Sequence, residues 1–122
     1  MGCIASLVML LNHSMVYNTA TYYGVDPVYA CEIVRLESEW NTRAVGDKGK
    51  AVGLWQWHLD SWVHVRVRMG ESTEDLRLDP VESTVTAMYA IKVLGLERWW
   101  STSAEAKENT KSLETGKMWR NE

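Results

Sequence analysis

Phenylalanine is absent from this chain of 122 residues, while tryptophan occurs seven times. Aromatic volume is therefore carried mostly by rings with a polar handle, which suit a core and also suit recognition of flat apolar ligand faces. Cysteine occurs only twice, as Cys3 and Cys31. The spacing says nothing about bridge geometry, so a disulfide and free thiols both stand. The three histidines, His13, His58 and His64, are scattered without a zinc-ligand spacing, so no metal is expected and no organic cofactor is implied. A long apolar run is missing as well. Ile4 to Leu11 is apolar, but a membrane-spanning helix needs about 20 such residues. No Lys or Arg precedes Arg35, which leaves no basic leader for a clear signal peptide. The opening Met1 to Ser6 fits a myristoylation pattern only formally, and the stretch reads more simply as the first core helix. A basic excess is also absent. The net charge of −3 argues against a nucleic-acid partner and against purely charge-driven attachment to an anionic surface. A local basic patch from Lys48, Lys50, Arg66 and Arg68 stays open. There is no internal repeat, low-complexity tract or linker.

What is present fits one domain over residues 1–122, with a polar tail from about residue 105. A chain of this size buries roughly two-thirds of its unfolded surface, enough for a core without metal or disulfide staples. The spacing predicts a helix from about Ser6 to Tyr23, closed by Gly24. Asp26-Pro27 and Asp79-Pro80 each pair a good N-cap with a residue preorganised for the first turn. They announce helices from Pro27 to about Trp40 and from Pro80 to about Leu94. Ala44 to Trp57 is glycine-rich and reads as a short β-hairpin or ordered loop turning at Asp47-Lys48-Gly49. A helix from about Ser61 to Met69 follows, capped by Asp60 and stopped by Gly70. Lys107 to Glu122 is a weak helix or a frayed tail. The class is mainly α, with a small β element.

One carboxylate stands out. On a helical wheel Ala30, Ile33, Val34 and Trp40 share a face, and Glu37 lies at its centre. Glu32, Arg35 and Glu39 fall on the other side and can form ordinary surface pairs. Burying a carboxylate costs several kcal/mol unless it is paired or protonated. Desolvation disfavours the charged form, so such a group can hold and donate a proton near neutral pH. A Glu bonded to backbone donors at a helix end, or an apolar face that stops short of it, would give the same pattern without function. The glycine-studded segment Gly46 to Gln56 follows. Its glycines allow backbone to approach a ligand closely, with Trp55 and Gln56 lining a cleft. Taken without Glu37, it reads as a plain surface hairpin.

Glu37-Ser38, Asn41, Ala44-Val45-Gly46-Asp47, Gly49 and Gly53-Leu54-Trp55-Gln56 together resemble the Glu-Ser … Gly-Leu-Met-Gln signature of transglycosylase SLT domains and goose-type lysozymes. Tyr23 to Pro27 resembles the lead-in to that family's catalytic helix, and Leu78 to Ser83 resembles its later Asp-Pro helix start. The likeness runs from about Tyr22 to Leu94. It implies a lysozyme-like fold that cuts the glycan strand of peptidoglycan. Glu37 would then be the catalytic acid, and Ser38 would help hold substrate or product. Gly53, Leu54, Trp55 and Gln56 would bind sugar. Asp47 falls where goose-type lysozymes carry an aspartate that positions water, and His58 stands near where their second such aspartate would fall. The family's Ala-Tyr-Asn segment is replaced by Gly95 to Ser101, and Tyr89, the nearest tyrosine, is about one residue out of register. Tyr89 is therefore a substrate-binding candidate on equal terms with core packing.

Two outcomes are open after protonation of the glycosidic oxygen. Attack by water needs a second carboxylate to hold the water, for which Asp47 is the candidate. Attack by the sugar's own 6-hydroxyl gives an anhydro product and needs one carboxyl only. The resemblance tips the choice to the lytic transglycosylase. A wall-binding domain without turnover is the other class, and a phage lysis or tail protein is a further origin. Trp57 and Trp62 are core residues or sugar platforms. Of Trp99 and Trp100, one ring is expected in the core and the other at the cleft. Arg66 and Arg68 read as a solvated strip that could meet peptide carboxylates. A monomer acting on glycan strands at the bacterial wall is expected, whether periplasmic, secreted or phage-delivered.

Overall fold

The computed structural model describes residues 2–115, with side chains from residue 7 onward. Among the described residues there are five helices and a small antiparallel hairpin, which is the mainly α architecture expected. The helices are α1 (Gly2–Tyr23), α2 (Pro27–Ser38), α3 (Leu59–Met69), α4 (Pro80–Lys92) and α5 (Ser103–Thr115). Strands β1 (Val45–Gly46) and β2 (Ala51–Val52) pair through Val45 with Val52 and Gly46 with Ala51. A 3-10 turn at Asp47–Gly49 joins them, and a second, Glu97–Trp99, precedes α5.

The two Asp-Pro starts work alike. Asp26 Oδ1 accepts from the Val28 and Tyr29 amides at 2.9 and 3.4 Å. Asp79 Oδ1 accepts from Val81 and Glu82 at 2.9 and 3.1 Å. Each carboxylate satisfies amides that a helix start leaves without partners. α2 then packs between α1 and α5, and α4 packs on α1 and α3. Ala30, Ile33 and Val34 of α2 share one buried core with Val16 and Ala20 of α1 and with Ala87, Met88 and Ala90 of α4.

The boundaries differ from the sequence expectation where local chemistry outweighs periodicity. α1 begins at Gly2 rather than Ser6, and among its described side chains the first buried one is Val16. α2 stops at Ser38, because Glu39 (φ 51°) and Trp40 (φ 65°) turn left-handed. Trp40 therefore leaves the Ile33–Glu37 face and lies beside His13, 5.1 Å between ring centroids. α4 ends at Lys92, two residues early, as Leu96 N–H closes onto the Ala90 carbonyl around left-handed Gly95. α3 starts at Leu59, so Asp60 sits inside its first turn and does not cap it. His58 holds the cap position, but its side chain makes no capping bond and reaches Asp47 instead.

The polar C-terminal stretch is helical up to Thr115, and α5 buries Ala106 and Thr110. Its expected continuation to Glu122 lies outside the described residues, as does the side chain of Cys3. Cys31 is a buried free thiol, pushed up to about 12 by burial, with Glu32 adding to the shift. No helix among the described residues is long and apolar enough to cross a membrane.

Candidate active site

Four packed tryptophans underlie the site, and two of them, Trp57 and Trp100, reach its lining. Trp55, Trp57, Trp62 and Trp100 are all buried and meet edge to face, with ring centroids 5.1 to 5.8 Å apart. Each indole N–H has a partner. Trp55 donates to Thr84 Oγ1 (3.0 Å), Trp57 to the Ser83 carbonyl (3.2 Å), and Trp62 to the Glu74 carbonyl (2.9 Å). Trp100 donates to the Trp55 carbonyl at 2.9 Å, which ties the segment before α5 to the loop after β2. Buried rings with satisfied donors form a stiff base. Trp62 is thus core rather than a sugar platform. Trp57 is mostly core too, with one edge at the cleft.

Over this floor lies an open cleft of about 320 Å³. One wall carries Glu37 from the last turn of α2. The hairpin contributes Asp47, Ala51 and Gln56, and the start of α3 contributes His58 and Ser61. The remaining side is Trp99, Trp100 and Ser101. Glu37 is half-buried at the cleft edge rather than sunk in the core face. Its Oε2 accepts a hydrogen bond from the Thr102 hydroxyl at 2.6 Å. Across the cleft, His58 Nε2 and Asp47 Oδ2 are 3.1 Å apart, both side chains well exposed. Such an exposed pair contributes little to stability, about 1 kcal/mol at most.

The loop geometry is specific. Gly53 to Gln56 form a tight turn closed by reciprocal backbone bonds between Val52 and Trp57. Gly53 adopts φ +86°, and a Cβ there would collide with the Arg77 carbonyl oxygen, so glycine is required. Gln56 is itself left-handed (φ 51°), and its Nε2 donates to the carbonyls of Ala44 and Gly53 at 3.1 and 3.0 Å. Asp47 is left-handed as well (φ 49°). Two strained non-glycine residues therefore face the same cleft, a pattern that clusters at functional sites.

Of the residues singled out by sequence, the structure brings Glu37, Asp47, Gln56 and His58 together. Trp57, Trp99 and Trp100 line the cleft too, but Ser38, Gly53, Leu54, Trp55 and Tyr89 do not. Ser38 is buried, with its hydroxyl turned back to the Val34 carbonyl (3.1 Å). Leu54 and Trp55 point into the core, because the turn that places Gln56 at the cleft sends the two preceding side chains inward. Tyr89 lies by the far end of α3, its hydroxyl 3.4 Å from the Arg68 carbonyl. Gly53 acts on the backbone just described. Arg66 is not part of a solvated strip. It is buried over the Trp62 ring and bonded to Glu82, Thr86 and the Ser72 carbonyl.

Sequence reasoning missed Thr102, Ser61 and Ser101. Thr102 stands 65 positions from Glu37 and belongs to no local pattern; packing of α5 on α2 brings it in. That segment is braced at Glu97, whose Oε2 accepts from the Tyr29 hydroxyl (2.8 Å) and from Lys107 Nζ (2.9 Å). The Lys107 and Tyr29 bonds hold the Glu97 carboxyl below its ordinary range, while burial and the Glu97 partner push the Tyr29 hydroxyl up. Among the described residues no cluster of three or more His, Cys, Asp or Glu side chains is placed to hold a metal ion.

A mainly α domain with a carboxyl set in a polar cleft over an aromatic floor is a lysozyme-like domain. Residues 14–102 match the family described as Transglycosylase SLT domain, and the chain belongs to that family. No curated protein and no solved structure matches the chain. Membership carries glycosidic-bond cleavage of the lytic transglycosylase type, with peptidoglycan of the cell wall as substrate.

Proposed function

We propose that this chain is a lytic transglycosylase that cuts the β-1,4 bond between MurNAc and GlcNAc, with Glu37 as its general acid and base. The observation that carries this reading is the placing of the Glu37 carboxyl in the cleft wall, half-buried, with one oxygen on the Thr102 hydroxyl. The second oxygen can face the scissile bond. Glu37 protonates the glycosidic oxygen and the C1–O bond breaks, releasing the GlcNAc 4-hydroxyl. The MurNAc 6-hydroxyl then bonds to C1 and returns its proton to the Glu37 carboxylate. No water is consumed, and a 1,6-anhydro end remains. One carboxyl suffices for both proton transfers.

A second reading is favoured by one observation: Asp47 lines the same cleft. In that reading the chain is a goose-type lysozyme in which Asp47 holds the attacking water. The engagement of Asp47 with His58 supports the first reading, since the carboxylate is already partnered. Ser61 and Ser101 are candidates to hold sugar hydroxyls or N-acetyl groups. The protein is read as a monomer acting at the bacterial wall.

The test is mass spectrometry of fragments released from purified peptidoglycan. Anhydromuramyl ends are expected. Reducing ends would establish the lysozyme reading. No fragments from folded protein on several wall types would leave a wall-binding domain.

A further inference from the structure

We propose that the indole of Trp99 is a stacking platform for one N-acetylhexosamine ring of the glycan strand. This rests on the cleft reading above and adds a binding residue to it. Among the described tryptophans Trp99 is the one left well exposed, at 46%, while its neighbour Trp100 is 5% exposed. Both line the cleft, but only Trp99 presents a wide apolar surface there. Leaving such a ring in water forfeits burial that the adjacent floor could have supplied.

The ring is presented from a fixed backbone. The Trp99 amide donates to the Leu96 carbonyl at 2.9 Å, and the Trp100 amide donates to Glu97 at 3.1 Å. Trp100 is then locked to Trp55, and Glu97 is held by Tyr29 and Lys107. The imidazole of His64 stands beside Trp99, 5.6 Å between centroids and tilted by 52°. A ligand that stacks here meets a flat apolar plane in a cleft that Ser61 and Ser101 also line. A pyranose has the complementary form: an apolar C–H face and a polar circumference. The face that fits an aromatic platform and the groups that fit the hydroxyls belong to the same sugar.

The experiment uses the full chain with Glu37→Gln, which is not expected to cut. Binding of a peptide-free, soluble glycan strand is measured by calorimetry, alone and with Trp99→Ala or Trp99→Tyr added. Trp99→Ala is expected to weaken binding about tenfold, and Trp99→Tyr to keep most of the affinity. In the cleaving enzyme, Trp99→Ala raises KM more than it lowers kcat. The thermal midpoint of Trp99→Ala stays near the parent's, which separates lost stacking from lost folding. Equal affinities for the parent and Trp99→Ala overturn the platform alone. A folded parent that binds no strand overturns the cleft reading and the platform with it.

Discussion

The floor and the rim of the cleft use tryptophan to opposite ends. On the floor, Trp55, Trp57, Trp62 and Trp100 are buried and every indole N–H is satisfied. On the rim, Trp99, Asp47 and His58 stand exposed, and Glu37 is half-buried with a single hydroxyl on its carboxyl. The floor spends its polar groups on itself and gains stiffness. The rim leaves its groups for a ligand and gains little stability from them. Substitutions in the two layers should therefore separate into those that unfold and those that disarm.

The largest effect is expected at Glu37. Glu37→Gln keeps the shape and an acceptor for Thr102 but cannot donate the proton, so cleavage should fall at least about a thousandfold. The thermal midpoint should stay within a few degrees, because the side chain is only half-buried. Loss of folding in this variant would erase the contrast between the layers.

Trp100→Ala probes the floor from the opposite side. It opens a cavity and strips the Trp55 carbonyl of its donor, so urea unfolding should show a loss of about 3–5 kcal/mol. A smaller step falls between the layers, at Gly53. An alanine there meets the Arg77 carbonyl in a left-handed conformation, and a loss of about 2 kcal/mol is expected on the same measurement. Cleavage should fall with it, since the turn that presents Gln56 must shift.

The smallest effect concerns the brace under Trp99. Lys107 and Tyr29 hold Glu97 below the ordinary carboxylate range, so this contribution is present above that range and is lost as pH falls through the folded-state value. At about pH 7, Glu97→Gln should cost less than about 1 kcal/mol, and the difference from the parent should shrink as pH is lowered below the ordinary carboxylate range. A difference that does not change with pH would mean that Glu97 acts by packing rather than by charge.

Local signals were readable in the sequence where one residue decides the outcome. The Asp26-Pro27 and Asp79-Pro80 starts, the Gly24 and Gly70 stops and the hairpin all stand as expected, since caps and turns are set by near neighbours. The wheel brought out Glu37, although its own helix ends sooner than the apolar period implied. What stayed hidden depends on tertiary packing. Periodicity cannot reveal that a left-handed Gln56 turns Trp55 inward, that Arg66 is swallowed by Trp62 and Glu82, or that Thr102 arrives with α5. The division of Trp99 from Trp100, one ring out and one in, was legible as a pair but not by member. Which ring is buried follows from the bond to the Trp55 carbonyl.

The central claim is that a single carboxyl, Glu37, performs both proton transfers. Parallel digestion of purified peptidoglycan by the parent and by Glu37→Gln, with mass spectrometry of the soluble fragments, tests it most directly. The account predicts anhydromuramyl ends from the parent and none from the variant. Fragments of the same kind and amount from folded Glu37→Gln would contradict it.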